Sequence, residues 1–323
     1  MKDIGKNALG IHPRPIVVTS ACLGFDACRY NGNIISAPFV QQLVTHVEFL
    51  KVCPEVEIGL EIPRDPIRLV ASNEGQRLVQ PTTGQDLTQK MVSFSKAYLD
   101  TLEAVDGFIL KNRSPSCAVK DSKIHSGLNG ADVVGKGLGL FARVAMERFP
   151  HAAVEDEGRL THARLREHFL TRLFAQARYR MLCQAPSIRG LMQFQADNKL
   201  LLMAYNRKRL REMGQTIAEY EMKNLAPILE EYGHHLGVAL ERLPRYTSNI
   251  NVLLHAFGYF SDRLSSRDKA FFLNTLESYR EKQTSLGAVL KVMKAWIMRF
   301  DPAHLACQTY FDPYPQALYQ PAE

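Results

Sequence analysis

The chain of 323 residues has no apolar run approaching the roughly 20 residues of a membrane span. Its opening stretch, MKDIGKNALGIHPRP, holds no apolar core of the kind a secretory signal needs. These absences lead to the expectation of a cytosolic protein without a membrane partner, in a compartment that keeps thiols reduced. Cysteine is scarce: Cys22, Cys28, Cys53, Cys117, Cys183 and Cys307 are all there are. No two are spaced C-x-x-C, so neither a disulfide framework nor a close-paired zinc or redox motif is indicated. Internal repeats and low-complexity tracts are missing too, which excludes a repeat architecture. What is present is an ordinary folded composition, 46% hydrophobic and 23% charged, at a length that suggests two domains.

The net charge of +7 is unevenly spread. Up to Gly158 there are 17 Lys and Arg against 18 Asp and Glu; from Arg159 onward there are 23 against 15. The basic excess therefore lies wholly in the second half. Such asymmetry points to a polyanionic partner, nucleic acid first, with a solvated basic surface as the alternative.

The halves also differ in texture. Residues 1–158 alternate short apolar runs (PIVVTSAC, HVEFLKVC, DGFILKNRSPSC) with loops rich in Gly, Pro, Asn and Asp. Between them LTQKMVSFSKAYLDTLEAV spaces Met91, Phe94, Tyr98, Leu102 and Val105 as a helix does, with Thr88 as a candidate cap. Strands alternating with helices predict an α/β domain with a mostly parallel sheet. Residues 159–323 read as all helix. Leu165, Phe169, Leu173 and Ala177 form one stripe, Ser187 caps a long helix running to Met213, Pro227 kinks a later one, and Ser265 with Asp268 forms a capping pattern.

Each of the three strand-like runs ends at or near a cysteine: Cys22, Cys53 and Cys117. Ligands of open α/β sheets bind outside the carboxyl ends of the strands, so the pattern brings three thiols to one edge. Their intervals are 31 and 64 residues, and the weight lies in the repeated context of strand then Cys rather than in the spacing. Three thiolates suit a soft metal: a zinc with one open position, or an iron–sulfur cluster lacking its fourth cysteine. Cys28 lies on the first exit loop and reads as a neighbour rather than a ligand. Glu55, two residues after Cys53, is a candidate proton relay, and Ser114, three before Cys117, a candidate orienting hydroxyl; helix capping and turn closure are the structural alternatives.

SACLGFDACRYNG, VCPEVEIGLEIPRDPIRLV and LKNRSPSC together resemble the TudS-type thiouracil desulfidases, in the same order and at similar separations. EDEGRLTHARLREHFLTRLF, FQADNKLLLMAYN, NINVLLHAFGYF and YFDPYPQAL resemble the helical YbgA-like domain. The resemblance implies a 4Fe-4S cluster held by Cys22, Cys53 and Cys117, with one open iron for the substrate's sulfur. It implies Glu55 as acid/base and Ser114 as active-site serine. The joined arrangement implies hydrolytic removal of sulfur from 4-thiouridine in tRNA, with DNA not expected; free thiouracil or thiouridine nucleotides, or a non-catalytic iron–sulfur RNA-binding sensor, are the alternatives. The chain departs from the family at Ala118, where Gly is usual, and at Asn31, where Asp is usual. The RNA-binding candidates are Lys199, Arg207, Lys208, Arg209 and Arg211, read as lying at the end of a long helix. GKGLGLF, residues 135–141, reads as a phosphate loop or simply as a helix entry, and His234, His235 and His255 read as surface or core residues rather than metal ligands.

Overall fold

Short β-branched runs such as IVVTS and GFIL pack best when both faces are covered, and here they form a parallel sheet. The computed structural model describes residues 12–73, 75–128, 132–221, 224–300 and 302–319. In chain order its elements are β1 (Ile16–Ser20), α1 (Pro38–Leu43), β2 (Glu48–Val52), α2 (Pro54–Glu57), β3 (Arg68–Ser72), β4 (Gly75–Gln80), β5 (Gln85–Asp86), α3 (Thr88–Asp100), β6 (Gly107–Leu110), β7 (Ser122–His125), β8 (Val133–Gly137), α4 (Leu140–Arg148), β9 (Ala153–Asp156) and α5 (Ala163–Gln184). Then come α6 (Ile188–Asp197), α7 (Lys199–Tyr205), α8 (Arg207–Ala218), α9 (Leu225–Ala239), α10 (Tyr246–Gly258), α11 (Ser266–Arg280), α12 (Leu286–Phe300) and α13 (Ala303–Ala306). An α/β region is thus followed by an all-helical one.

The first sheet has the order β2-β1-β6-β9, parallel throughout. Successive strand residues point to opposite faces. Val17 and Ile109 therefore pack with Phe169, Leu173 and Phe174 of α5 and with Tyr314 and Leu318 of the tail. Val18, Phe108 and Leu110 pack on the other face with Met91 and Leu99 of α3 and Phe141 and Ala145 of α4. A second, mixed sheet, β5-β4-β3-β7-β8, was not anticipated from the sequence. Its strands carry at most two or three buried residues in a row beside exposed or half-exposed polar and glycine positions, which weakens their signal.

The chain divides into two compact units, His12–Arg180 with the tail from Tyr314, and Met181–Pro313. The second is helical around Leu253, Phe260, Phe272, Met293 and Trp296. Among the described residues, no helix is long and apolar enough to cross a membrane.

Several local expectations are borne out and others corrected. Ser187 accepts from the Gly190 N–H as a cap, and Ser265 with Asp268 forms a complete capping box. The helix expected from Ser187 to Met213 is instead three helices, broken at Asn198 and Asn206. The Asn198 amide donates to the Phe194 carbonyl and its Oδ1 accepts from Thr309, while the Asn206 Oδ1 accepts from the Arg209 N–H. Asparagine side chains compete with the helical backbone in this way. Arg207 to Arg211 therefore open α8 rather than end a helix. Pro227 stands in the first turn of α9, where its missing N–H costs nothing, and no kink is needed. Thr88 is the first helical residue of α3, not its cap, and α3 stops at Asp100, short of Leu102 and Val105.

Candidate functional site

The parallel register pairs Ser20 with Val52 and Thr19 with Ile109, so β1, β2 and β6 end at one edge. Cys22 lies on the turn after β1. Cys53 caps α2, whose first residue is Pro54, a residue suited to that position. Cys117 lies past the turn that leaves β6. All three line one cavity of about 310 Å³, together with Cys28, Glu55, Ser114, Arg64 and Lys111. The structure thus brings together every candidate cluster and catalytic residue of the first unit, and Cys28 with them.

The cavity wall is held by polar contacts from behind. Ser20 Oγ accepts from the Lys111 N–H at 2.9 Å. The Lys111 ammonium meets Glu157 and Asn112, and the Asn112 N–H donates to Glu157 Oε2 at 2.8 Å, tying the exit of β6 to the exit of β9. Arg113 then adopts φ 56, the left-handed region, with its N–H donating to Asp121 Oδ1 at 2.8 Å. Such a turn in a non-glycine residue is uncommon and marks a constrained segment. Ser114 Oγ accepts from the N–H groups of Ser116 and Cys117 at 3.2 and 3.1 Å, which fixes Cys117.

Glu55 is the hub of the site. Its Oε1 accepts from Ser116 at 3.1 Å and from Ser114 at 3.4 Å; its Oε2 meets Arg64 Nη2 at 2.6 Å. Arg64 and Ser116 carry no signal in the sequence reading. The one clue to Arg64 is a cation between two prolines, in IPRDP. Ser116 is fully buried and sits behind the cavity wall.

With no metal bound, three of the four thiols are pushed above the usual thiol range. Cys28 is pushed up to about 11, chiefly by its hydrogen bond with the Cys22 thiol. Cys53 is raised by its hydrogen bond with Cys28 and by burial, and Cys117 by burial. Among the described residues, no group of three or more His, Cys, Asp or Glu stands ready to ligate a single metal ion. The cavity nonetheless gathers four soft sulfur donors, Cys22, Cys28, Cys53 and Cys117, the kind that hold iron–sulfur clusters. Asn31 Oδ1 accepts from the Asn33 N–H at 3.2 Å, as a carboxylate would, and the Ala118 N–H donates to the Ser114 carbonyl at 3.0 Å.

The basic candidates belong to the second unit. Lys199 opens α7; Arg207, Lys208 and Arg209 form the first turn of α8, with Arg211 one turn on. Arg209 meets Glu212 at 2.8 Å and His235 at 3.2 Å, and Lys208 lies 3.8 Å from Glu212. Arg207 and Arg211 are exposed, and among the described residues no carboxylate pairs with either. His235 lies between Glu212 and Glu231, and His255 packs against Tyr259. Gly135 and Gly137 belong to strand β8, and Gly139 enters α4, so the glycine-rich segment is a strand and a helix entry.

Comparison with known proteins gives a consistent picture. Residues 17–157 match the family model for 2-thiouracil desulfurase, and residues 199–315 the model for a protein of unknown function, DUF1722. The uncharacterized protein YbgA of Escherichia coli (strain K12) is 26% identical over 151 residues, 46% of this chain and 89% of its own. The uncharacterized protein YbbK of Bacillus subtilis (strain 168) is 28% identical over 132 residues, 38% of this chain and 85% of its own. A solved 4Fe-4S-dependent thiouracil desulfidase, TudS, aligns with a TM-score of 0.36 and 23% identity, covering 46% of this chain and 94% of that one. Residues 17–157 are thus similar to the 2-thiouracil desulfurase family, and residues 199–315 to DUF1722.

Proposed function

We propose that the protein is a cytosolic iron–sulfur desulfidase that converts 4-thiouridine in tRNA to uridine with release of sulfide. The observation that carries this reading is the meeting of Cys22, Cys53 and Cys117 with Glu55 and Ser114 around one cavity, in a region similar to the 2-thiouracil desulfurase family. The gathered cysteine thiols fit a 4Fe-4S cluster, with Cys22, Cys53 and Cys117 as the residues that would hold it. When bound, that group supplies a thiophilic Lewis acid, which selects a thiocarbonyl over an ordinary carbonyl.

The chain's own residues supply the rest. Glu55 takes a proton from the attacking water and returns protons toward the departing sulfur. Ser114 holds the ring in line by hydrogen bond. Carbon–sulfur cleavage by water exchanges C=S for C=O and yields hydrogen sulfide, so no oxidant or reductant is consumed.

The tRNA assignment, and a division of labour between residues 1–158 for chemistry and 159–323 for RNA binding, draw support from α8. Cations in the first turn of a helix oppose its dipole, whereas at the last turn they would stabilise it by about 0.3–1 kcal/mol each. Arg207 thus stands where the helix dipole gives no reason for it, and phosphate contact does. The test is a visible absorption spectrum of anaerobically reconstituted protein, followed by sulfide release from thiolated tRNA, a thiouridine nucleotide and free 2-thiouracil side by side. A brown protein that releases sulfide from tRNA fastest supports the reading. Turnover of the free base or nucleotide alone assigns a smaller substrate, and a brown protein without turnover assigns a sensor.

A further inference from the structure

Arg64 is a buried guanidinium, its side chain 4% exposed, at the edge of the cavity. An Arg side chain has five N–H donors, and here five contacts use them. Nε and Nη2 reach Glu55 Oε2 at 3.2 and 2.6 Å. Nη1 and Nη2 reach the Cys28 carbonyl at 3.2 and 3.1 Å, and Nη1 reaches the Glu61 carbonyl at 3.3 Å. The Arg64 N–H adds a bond to the Tyr30 carbonyl at 2.7 Å. A buried cation is costly unless paired and fully hydrogen-bonded, and this one has both forms of compensation at the site itself.

The asymmetry of the contact matters. Both guanidinium bonds to Glu55 fall on Oε2, while Oε1 faces the hydroxyls of Ser116 and Ser114. Oε2 is held by the guanidinium and Oε1 by the two serine hydroxyls, of which Ser114 lines the cavity. We infer that Arg64 is a positioning residue for the reaction: it locks the Glu55 carboxylate so that Oε1 is the oxygen presented on the Ser114 side of the cavity. The inference rests on the reading of Glu55 as acid/base. A lysine would not reproduce it, because an ammonium is a point charge without the rigid fork that spans Glu55 and the Cys28 carbonyl together.

The test is a double-mutant cycle on the reconstituted full chain, with sulfide release from 2-thiouracil and from 4-thiouridine-bearing tRNA as readouts. Arg64→Lys should lower kcat by about 10–100-fold, the range for an angstrom-scale misplacement, and leave KM within about threefold. Glu55→Gln should cost about 10²–10⁴-fold. In the Glu55→Gln background, Arg64→Lys should cost less than about threefold, since residues acting through one another are not additive. Iron content should match across the four proteins, each assayed below its own melting temperature, which falls where the buried Arg64–Glu55 pair is broken. Equal losses in both backgrounds would overturn the inference and leave Glu55 standing. A raised KM with unchanged kcat would overturn it by making Arg64 a substrate contact. A Glu55→Gln single variant with near-normal turnover would overturn both readings together, which tells that failure apart. If Arg64→Lys does not fold, Arg64→Gln, which keeps a donor for the Cys28 carbonyl and drops the charge, enters the same cycle.

Discussion

Gly139 lies so close to Ser116 that a β-carbon at residue 139 would sit 2.4 Å from the Ser116 carbonyl oxygen and 2.7 Å from the Cys117 nitrogen. The neighbours are backbone atoms, which cannot swing aside. Gly139→Ala must therefore push the turn that carries Cys117, Ser114 and the Ser116 hydroxyl. A stability loss of about 1–3 kcal/mol is expected, as for overpacking elsewhere. Iron retention should fall with it, as seen by a thermal melt and an iron assay on the same sample. An unchanged melt and full iron content would mean that the turn yields freely and Cys117 is not held by it.

Replacing Cys22, Cys53 or Cys117 by Ala should each abolish the cluster's colour, because three ligands leave no redundancy. Cys183→Ala and Cys307→Ala should keep it. Cys28→Ala should keep it as well, although Cys28 is buried and hydrogen-bonded to the thiols of Cys22 and Cys53. Bleaching by Cys28→Ala in the absorption spectrum would make the site a four-thiol one and leave no open iron.

The placement of these thiols was legible in the sequence because it follows from two local rules. Continuous apolar runs such as GFIL become buried parallel strands, and parallel strands present their carboxyl ends at one edge. Glu55 was legible for the same reason, two residues after Cys53. Arg64, Ser116 and Gly139 were not. Each matters through a neighbour distant in sequence, Glu55 for Arg64 and Ser116 and the Ser116–Cys117 backbone for Gly139, and no periodicity encodes that. The long helix assigned through NKLLLMAYNRKR failed on a different point: Asn198 is held by Thr309, a partner that a window of local sequence does not contain, and Asn206 caps a new helix through the nearby Arg209 N–H.

Cys307 offers a control on thiol chemistry away from the site. Burial, and then the hydrogen bond to Asp197, push its thiol up to about 11. The thiolate is the nucleophile, so a raised value means little reactive form at pH 8 and about tenfold more for each pH unit up to that value. Alkylation followed by mass spectrometry should find Cys307 slow at pH 8 and accelerating steadily toward pH 10, with Cys183, which is exposed, ahead of it at pH 8. Rapid labelling of Cys307 at pH 8 would show that burial does not govern it.

The cations of α8 allow stability and RNA binding to be separated in one experiment. Arg207 is the first residue of the helix, where a positive charge faces the positive end of the dipole. Arg207→Gln should therefore leave the melting temperature unchanged or slightly raised. Arg211→Gln, one turn on at an exposed position, should be neutral. If both residues contact phosphate, the double variant binds tRNA more weakly, and the slope of log affinity against log salt shrinks by roughly one for each lost contact. Binding measured at several salt concentrations, beside a thermal melt, reads both quantities. A stable double variant with undiminished affinity and an unchanged slope would identify α8 as solvated surface and move the RNA-contacting face to other cations of residues 159–323.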